Sequence, residues 1–257
     1  MTTDTSKLAR GLIEARRRGK LASYAPETAP TGVAEAMLVQ KEVMAAIGET
    51  VAGWKVGYTP DGIPVGAPIY SGVTCRSGAT LHPGPSGKSG IEVEIALLLG
   101  KDLPPRPERP YGRAEILEAS EALLAGIEIV ESRFPAPPKP PFIVLLADNI
   151  SNGAYARGKE VKDFRGLDLS RLRCRLAIDG RNIHDGVGGH AKGDPLAPVI
   201  DYANNPCDLM GGLKAGQFVT TGTLNGCPFI EGACKIVAEI EGLGRVELEI
   251  RPPRSKP

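Results

Sequence analysis

The sequence lacks the features that mark membrane-spanning and nucleic-acid-binding proteins. Its longest apolar stretches, such as Ile143 to Ala147, are far too short to span a bilayer. Lys and Arg number 31 against 30 Asp and Glu, so the net charge of +1 gives no reason to expect nucleic acid or an anionic membrane as a partner. No internal repeat is evident. We therefore expect a soluble protein with neither kind of partner.

Cysteine is present but has no pattern that indicates a disulfide framework or a metal site. The five cysteines are scattered without a CxxC pair: Cys75, Cys174, Cys207, Cys227 and Cys234. The first residues also carry no apolar signal segment. Both observations favour a reducing, cytoplasmic location and free thiols.

A phosphate-binding loop is also missing, although one segment ends like such a loop. In Gly84-Pro85-Ser86-Gly87-Lys88-Ser89 the motif would need a glycine five residues before Gly87, and His82 stands there. The following residues read as a strand, whereas the motif needs a helix. We therefore assign no phosphate site here.

The 257 residues, 42% of them hydrophobic, can bury a large core as one domain with a small appendage. Helical spacing of apolar residues predicts helices over Ser6–Lys20 and Ala34–Ile47. About 50 residues bury too little apolar surface to stand alone securely. We therefore predict an N-terminal helical region, residues 1–50, that flanks a mixed-β domain, residues 51–257.

The most informative stretch is a strand-like run in which Ile91, Val93 and Ile95 alternate with Glu92 and Glu94. In a strand both carboxylates project from one face, roughly 6–7 Å apart. Like charges at that spacing repel unless water, protons or a cation offset them, and a divalent cation is the strongest partner. The solvated face of an edge strand gives the same alternation, so these residues alone leave both interpretations open.

A third carboxylate follows in the next predicted strand, Ile127–Glu131, where Glu128 faces away from its apolar neighbours. Helical periodicity over Tyr111–Leu124 predicts a helix before it, and a helix between two strands makes them parallel neighbours. Glu128 would then lie beside Glu92 and Glu94. Three carboxylates with open positions suit Mg²⁺ or Mn²⁺.

A lysine, Lys55, also lies in a strand-like apolar segment, Gly53–Gly57. It is either a surface lysine or, in a partly closed pocket, a fixed positive charge or a base with a lowered pKa. After it, Pro60–Gly72 reads as a Gly/Pro-rich loop, and the second half of the chain reads as mostly β, including Phe142–Ala147. Further strands are predicted over Arg173–Ile178 and Asn182–Gly186 as a hairpin, and over Phe218–Thr223, Ala233–Ile240 and Arg245–Ile250.

The order of these signals resembles the fumarylacetoacetate hydrolase superfamily, and within it the 2-keto-4-pentenoate hydratase / 4-oxalocrotonate decarboxylase branch. The segments that carry the resemblance are Gly53–Gly57, Ile91–Leu97, Glu128–Arg133, Ala147–Ser151, Thr221–Thr223 and Glu239–Gly244. They occur in the family's order and at compatible spacing. The resemblance implies an α+β fold, a mixed β-sheet roll with a small N-terminal helical region, and a homo-oligomer.

The resemblance also implies a set of site residues. They are the metal ligands Glu92, Glu94 and Glu128 for Mg²⁺ or Mn²⁺, the catalytic residues Lys55 and Asp61, and the substrate-binding residues Lys55, Ser151 and Thr223. Lys55 would supply positive charge to the substrate carboxylate or enolate. For Ser151 and Thr223, capping of the local turn is an equally compatible role.

Asp61 departs from the family's pattern. Similar hydratases carry an acidic residue for proton transfer late in the loop after the lysine strand, which corresponds here to the region of Pro68 and Ile69. In the segment Tyr58–Gly72 the only acidic residue is Asp61, which lies near the start of the loop. Either Asp61 bends back into the pocket, or a metal-bound water transfers the proton in its place, or the chain catalyses a related reaction or none.

The function implied is that of a metal-dependent lyase acting on 2-oxo-enoate or 2-hydroxy-dienoate acids through a metal-stabilised enolate. Three alternatives remain open: a 2-oxo-acid decarboxylase of the 4-oxalocrotonate type, an acylpyruvate-type C–C hydrolase, and a non-catalytic relative that has lost the loop acid. The hydrolase would need an early His/Glu dyad, and the N-terminal half offers only His82.

Overall fold

The computed structural model describes residues 4–135, 139–205 and 209–252. Its helices are α1 Ser6–Arg18, α2 Val33–Ile47, α3 Arg113–Ala119, α4 Phe142–Ala147 and α5 Ala197–Ala203. Its strands are β1 Val51–Tyr58, β2 Pro64–Tyr70, β3 Thr74–Arg76, β4 Ala79–Leu81, β5 Lys88–Leu99, β6 Ser120–Val130, β7 Asn152–Arg157, β8 Arg173–Ile178, β9 Arg181–Val187, β10 Phe218–Thr223, β11 Phe229–Glu231, β12 Cys234–Ile240 and β13 Gly244–Ile250.

The strands form two mixed sheets. The larger has the order β2-β1-β10-β5-β6-β7-β3, with β11 paired to β5, and the smaller has the order β4-β13-β12-β8-β9. Three pairings are parallel, namely β1 with β10, β3 with β7 and β4 with β13. The remaining pairings are antiparallel, and this architecture confirms the predicted α+β class with a mixed-β roll.

The main core lies between the two sheets. Alternate residues of β5, such as Ile91, Val93 and Ile95, are buried there against residues of the smaller sheet, including Ile236 and Leu248. The opposite face of β5 carries Glu92 and Glu94. Because β5 lies between β10 and β6 in the middle of the larger sheet, the solvated edge-strand interpretation of these glutamates is excluded.

The N-terminal helices form a flanking layer. A second apolar cluster joins Leu8 and Leu12 of α1 to Val39 of α2 and to Val144 of α4. Both helices are closed by a glycine in the left-handed conformation that such ends favour, α1 at Gly19 and α2 at Gly48.

The predicted helix over Tyr111–Leu124 is wrong in its second half. Helix α3 ends at Ala119, and the following residues belong to β6, in which Leu123 and Leu124 are buried on opposite faces. A run buried on both faces shows no period that separates strand from helix. Strand β6 pairs antiparallel with β5, so the predicted parallel arrangement is also wrong.

Two further segments differ from the prediction. The Phe142–Ala147 run is the short helix α4, which starts directly after Pro141 and packs Val144 against α2. The predicted Pro60–Gly72 loop contains β2, which tolerates Pro64 and Pro68 because it is the edge strand of its sheet. The α1 and α2 helices, the β8–β9 hairpin and strands β10, β12 and β13 agree with prediction to within a few residues.

Four cysteines are free, namely Cys75, Cys174, Cys227 and Cys234, and Cys207 lies outside the described residues. Among the helices in the described ranges, none combines the length and the apolar character needed to cross a membrane.

A buried ion pair joins the N-terminal layer to the sheet. Asp148 Oδ1 lies 2.7 Å from Arg133 Nε and 3.3 Å from Arg16 Nη2, and Asp148 Oδ2 accepts a hydrogen bond from Arg133 N at 3.0 Å. Asp148 is fully buried, and both arginines are nearly so. One carboxylate therefore holds two guanidinium groups from distant parts of the chain.

We expect Asp148→Ala to lower the free energy of unfolding by about 3–5 kcal/mol, because it leaves buried arginines without their counter-charge. Urea unfolding followed by circular dichroism measures this. The matched control is Asp185→Ala, which breaks a largely solvated pair with Arg173 and should cost about 1 kcal/mol or less. Equal losses in the two variants would contradict the role assigned to Asp148.

Candidate active site

Three carboxylates converge on the face of the larger sheet opposite the main core. Glu92 and Glu128 are direct partners across the antiparallel β5–β6 pair, and Glu94 follows two residues along β5. Each residue places a carboxylate oxygen within 4.8 Å of those of the other two. Glu94 and Glu128 are fully buried, whereas the Glu92 side chain is 15% exposed. We call this group the carboxylate cluster.

Lys55 reaches the carboxylate cluster from β1, which is separated from β5 only by β10. Its Nζ lies 2.8 Å from Glu128 Oε1, 3.5 Å from Glu92 Oε2 and 3.3 Å from the carbonyl oxygen of Ile150. Burial would lower the pKa of Lys55, but the nearby glutamates outweigh burial and raise it. Lys55 is therefore a fixed positive charge.

The charges of the carboxylate cluster do not balance within the protein. Burial raises the pKa of Glu94 well above its ordinary value, and Glu128 and Glu92 raise it further. Burial also raises the pKa of Glu128 in spite of Lys55. Three carboxylates against one ammonium leave a formal charge of −2 when all are ionised, which a divalent cation would offset.

Oxygen atoms without a hydrogen-bond partner also indicate a divalent cation. Within the described residues, both carboxylate oxygens of Glu94 and Oε2 of Glu128 are buried without a hydrogen-bond partner. Buried polar atoms of this kind are normally satisfied. Since all three are carboxylate oxygens, the set fits a hard divalent cation such as Mg²⁺ or Mn²⁺.

A strained turn closes the lysine side of the carboxylate cluster. Asn149, Ile150 and Ser151 have positive φ angles of 54°, 49° and 59°, a conformation that is costly for a β-branched residue such as Ile150. This turn presents the Ile150 carbonyl to Lys55, and Asn152 after it donates a hydrogen bond from Nδ2 to Glu128 Oε1 at 3.1 Å. The strained backbone thus positions both partners.

The other predicted site residues lie in different settings. Ser151 is buried within the strained turn, where its backbone nitrogen donates to the Asp148 carbonyl. The Thr223 hydroxyl is 2.6 Å from the Gly226 carbonyl oxygen and caps the local turn. Asp61 is exposed at the tip of the β1–β2 hairpin, because pairing of Tyr58 with Pro64 leaves only a tight turn between them. The structure does not bring Asp61 to the carboxylate cluster.

Tyr155 is a neighbour of the cluster that the sequence analysis missed. It lies on β7, directly across from Glu128, and is fully buried. Its hydroxyl fills the space that a side chain at Gly126 would need. A glycine inside a buried strand signals such a close approach, so Gly126 is the feature of the sequence that could have indicated a neighbour here.

Cys227 is a second missed neighbour, on the opposite side of the cluster. Its thiol lies over Gly90 and within hydrogen-bonding reach of Glu92. Burial and the charge of Glu92 raise the pKa of Cys227 to about 12, so it stays a neutral thiol. Nothing in the spacing of the five cysteines indicated this position.

Comparison with known proteins finds relatives both in sequence and in structure. A 2-keto-4-pentenoate hydratase of Paraburkholderia phymatum is 30% identical over 216 residues, which is 81% of each chain, and one of Burkholderia vietnamiensis is 28% identical over 96% of this chain and 98% of its own. The solved 4-oxalocrotonate decarboxylase of Pseudomonas putida G7, in complex with magnesium and adipate, superimposes with a TM-score of 0.82 over 96% of this chain and 97% of its own, at 21% identity. No family model matches the chain.

The mixed-β roll, which carries the carboxylate cluster on the face of its larger sheet opposite the main core, places the protein in the fumarylacetoacetate hydrolase class of folds. Its sequence relatives narrow the assignment from this class of folds to one family. The chain belongs to the 2-keto-4-pentenoate hydratase family within that superfamily.

We expect Glu94→Gln to stabilise the metal-free protein, and more so at pH 8 than at pH 5. Unfolded Glu94 ionises near pH 4.3, whereas burial and neighbouring charge raise its pKa in the folded state. Between these two pKa values the folded state holds more protons, so its stability falls as pH rises, and glutamine removes this loss. Each kcal/mol should raise the melting temperature by about 2–4 °C.

Thermal denaturation in a chelator at both pH values measures the effect. Glu121→Gln, at an exposed position of the neighbouring strand β6, is the control and should leave the pH dependence as it is in the parent. A Glu94→Gln protein that is less stable than its parent at pH 8 would contradict the prediction.

Proposed function

We propose that this protein is a metal-dependent lyase that acts on 2-oxo-enoate or 2-hydroxy-dienoate acids, as its hydratase relatives are named to do. The observation that carries the proposal is the carboxylate cluster, with three buried oxygen atoms that lack a partner and with Lys55 held among them. Hydratases of 2-keto-4-pentenoate and of 2-hydroxyhexa-2,4-dienoate among the relatives support the substrate class.

Glu92, Glu94 and Glu128 would hold Mg²⁺ or Mn²⁺, and the magnesium in the related decarboxylase supports this choice. A bound divalent cation supplies one element of the chemistry, namely stabilisation of the negative charge that builds on the keto oxygen as an enolate forms. Glu92, the partly exposed ligand, lies on the side from which a substrate would approach.

Lys55 would bind and orient the acid. Because it stays protonated, it attracts the substrate carboxylate or the developing enolate, and its contacts with Glu128 and Ile150 fix its direction. We propose Ser151 as a further hydrogen-bond donor from the strained turn. Thr223 remains a candidate donor, but its hydroxyl already binds the Gly226 carbonyl and would have to exchange that contact.

Decarboxylation of a 4-oxalocrotonate-type acid is the second candidate reaction. The observation that favours it is the exposed position of Asp61, which leaves the cluster without the loop acid of similar hydratases. Stabilising an enolate needs only the cluster and Lys55, whereas delivering water to C4 needs a positioned proton-transfer group. Reactions that stop at the enolate should therefore survive better than hydration.

We further propose that the protein is a cytoplasmic homo-oligomer, in which residues 1–50 form a helical layer over a catalytic domain of residues 51–257. The contacts of α1 and α2 with α4 support this division of roles, because α4 leads directly into the strained turn beside Lys55.

We expect Lys55→Met to weaken oxalate binding to the Mn²⁺-loaded protein by about 10-fold or more, since it removes a charge-assisted contact. Isothermal titration calorimetry measures the affinity, and circular dichroism checks the fold. Lys101→Met, at an exposed lysine paired with Glu118, serves as the control. If the Lys55→Met protein binds oxalate as tightly as the parent, Lys55 is not a substrate-binding residue.

The function itself is tested by following dienol loss and hydrated product in one reaction. Ultraviolet assays with Mg²⁺ or Mn²⁺ would use 2-hydroxypentadienoate and a 2-hydroxymuconate-type dienol. We expect dienol loss to outpace hydration, because a positioned proton-transfer group is worth about 10²–10⁴-fold in rate.

Repeating the assay with Asp61→Asn tests the role of that residue. A drop in hydration alone would support Asp61 as the proton-transfer group. Fast, complete hydration in both proteins would show that the reaction does not need a loop acid.

A further inference from the structure

A buried tyrosine hydroxyl beside the carboxylate cluster also lacks a partner in the protein. Within the described residues, Tyr155 Oη is buried without a hydrogen-bond partner, as are both oxygens of Glu94 and Oε2 of Glu128. The carboxylate oxygens are acceptors and fit a cation. A phenol hydroxyl also carries a hydrogen, which needs an acceptor atom and which a cation cannot satisfy. The site therefore lacks a second kind of partner.

The hydroxyl occupies a defined place between the two fully buried carboxylates. Gly126 is the direct partner of Glu94 across β5 and β6, and it precedes Glu128 by two residues on the same face. The Tyr155 hydroxyl fills the space above Gly126. It therefore lies beside both carboxylates.

The rest of the side chain fixes the direction of the hydroxyl. The Tyr155 ring stacks on Phe218 with a centroid distance of 4.8 Å and packs in a small apolar cluster with Ala96 and Leu124. Burial and the charges of Glu94 and Glu128 raise the pKa of Tyr155 well above its ordinary value. The group is thus a neutral, preorganised donor.

We propose that the Tyr155 hydroxyl donates a hydrogen bond to an oxygen atom of the 2-oxo acid bound at the carboxylate cluster, which makes Tyr155 a catalytic residue for enolate formation. This rests on the proposed function. Negative charge on the keto oxygen grows as the enolate forms, and a fixed donor in a dry site stabilises that charge without reorganisation. An oxygen of the substrate would supply the acceptor that this hydroxyl lacks in the protein.

Tyr155→Phe tests the proposal, because it removes only the hydroxyl and keeps the ring against Phe218. Oxalate serves as the probe, since it is a planar dicarboxylate that mimics the 2-oxo acid enolate. We expect the affinity of the Mn²⁺-loaded variant for oxalate, measured by calorimetry, to fall about 10-fold or more. The affinity for Mn²⁺ alone, measured by electron paramagnetic resonance, should stay within about threefold of the parent. In turnover, kcat should fall more than KM rises.

Tyr111→Phe is the matched control. Tyr111 is also buried, but its hydroxyl donates to the Pro104 carbonyl at 2.8 Å, and its phenylalanine variant should bind Mn²⁺ and oxalate as the parent does.

The outcomes distinguish failure of the proposed function from failure of this inference alone. A parent protein that binds no Mn²⁺ overturns the proposed function and this inference with it. Normal Mn²⁺ binding with unchanged oxalate affinity in Tyr155→Phe overturns the inference alone. Equal losses of Mn²⁺ and oxalate affinity would also overturn it, since Tyr155 would then orient the carboxylates rather than contact the ligand.

Discussion

Repulsion among three carboxylates in a dry interior is the constraint on which the rest of this structure depends. Glu94 and Glu128 are fully buried beside Glu92, and Lys55 contacts Glu128 and Glu92. Such an arrangement opposes folding, and the extensive pairing of β5 with β6 and β10 must offset it. Proteins commonly accept instability of this kind where a function requires it. The cluster is therefore evidence for function rather than for stability.

The N-terminal helices belong to the same system, although they lie outside the sheet. Arg16 of α1 and Arg133 form ion pairs with Asp148, the residue before the strained turn. The strained turn presents the Ile150 carbonyl to Lys55. A chain of direct contacts thus connects the first helix to the charged centre. The strain of the turn persists because buried ion pairs fix the residue before it.

The sequence predicts those parts of the site that follow from side-chain periodicity, and it misses those that depend on packing in the folded sheet. Strand alternation placed Glu92 and Glu94 on one face, because side-chain period does not depend on neighbouring strands. The predicted proximity of Glu128 to Glu92 is correct, although it was based on a parallel pairing of the two strands. The strands pair antiparallel, and that pairing also places Glu128 across from Glu92. Tyr155 and Cys227 could not be found this way, because their approach depends on the space left by Gly126 and Gly90 in the folded sheet.

The protonation states of the site limit the reactions it can support. Lys55 is protonated, Tyr155 is a neutral phenol and Cys227 is a neutral thiol, so all three are donors. The described groups at the cluster that can accept a proton are its carboxylates, and these are the proposed metal ligands. A site with many donors and no free base is suited to stabilising an enolate oxygen. Proton removal from carbon must then fall to a water or to a carboxylate that leaves its ligand position. Decarboxylation avoids this requirement, because CO₂ leaves without a base.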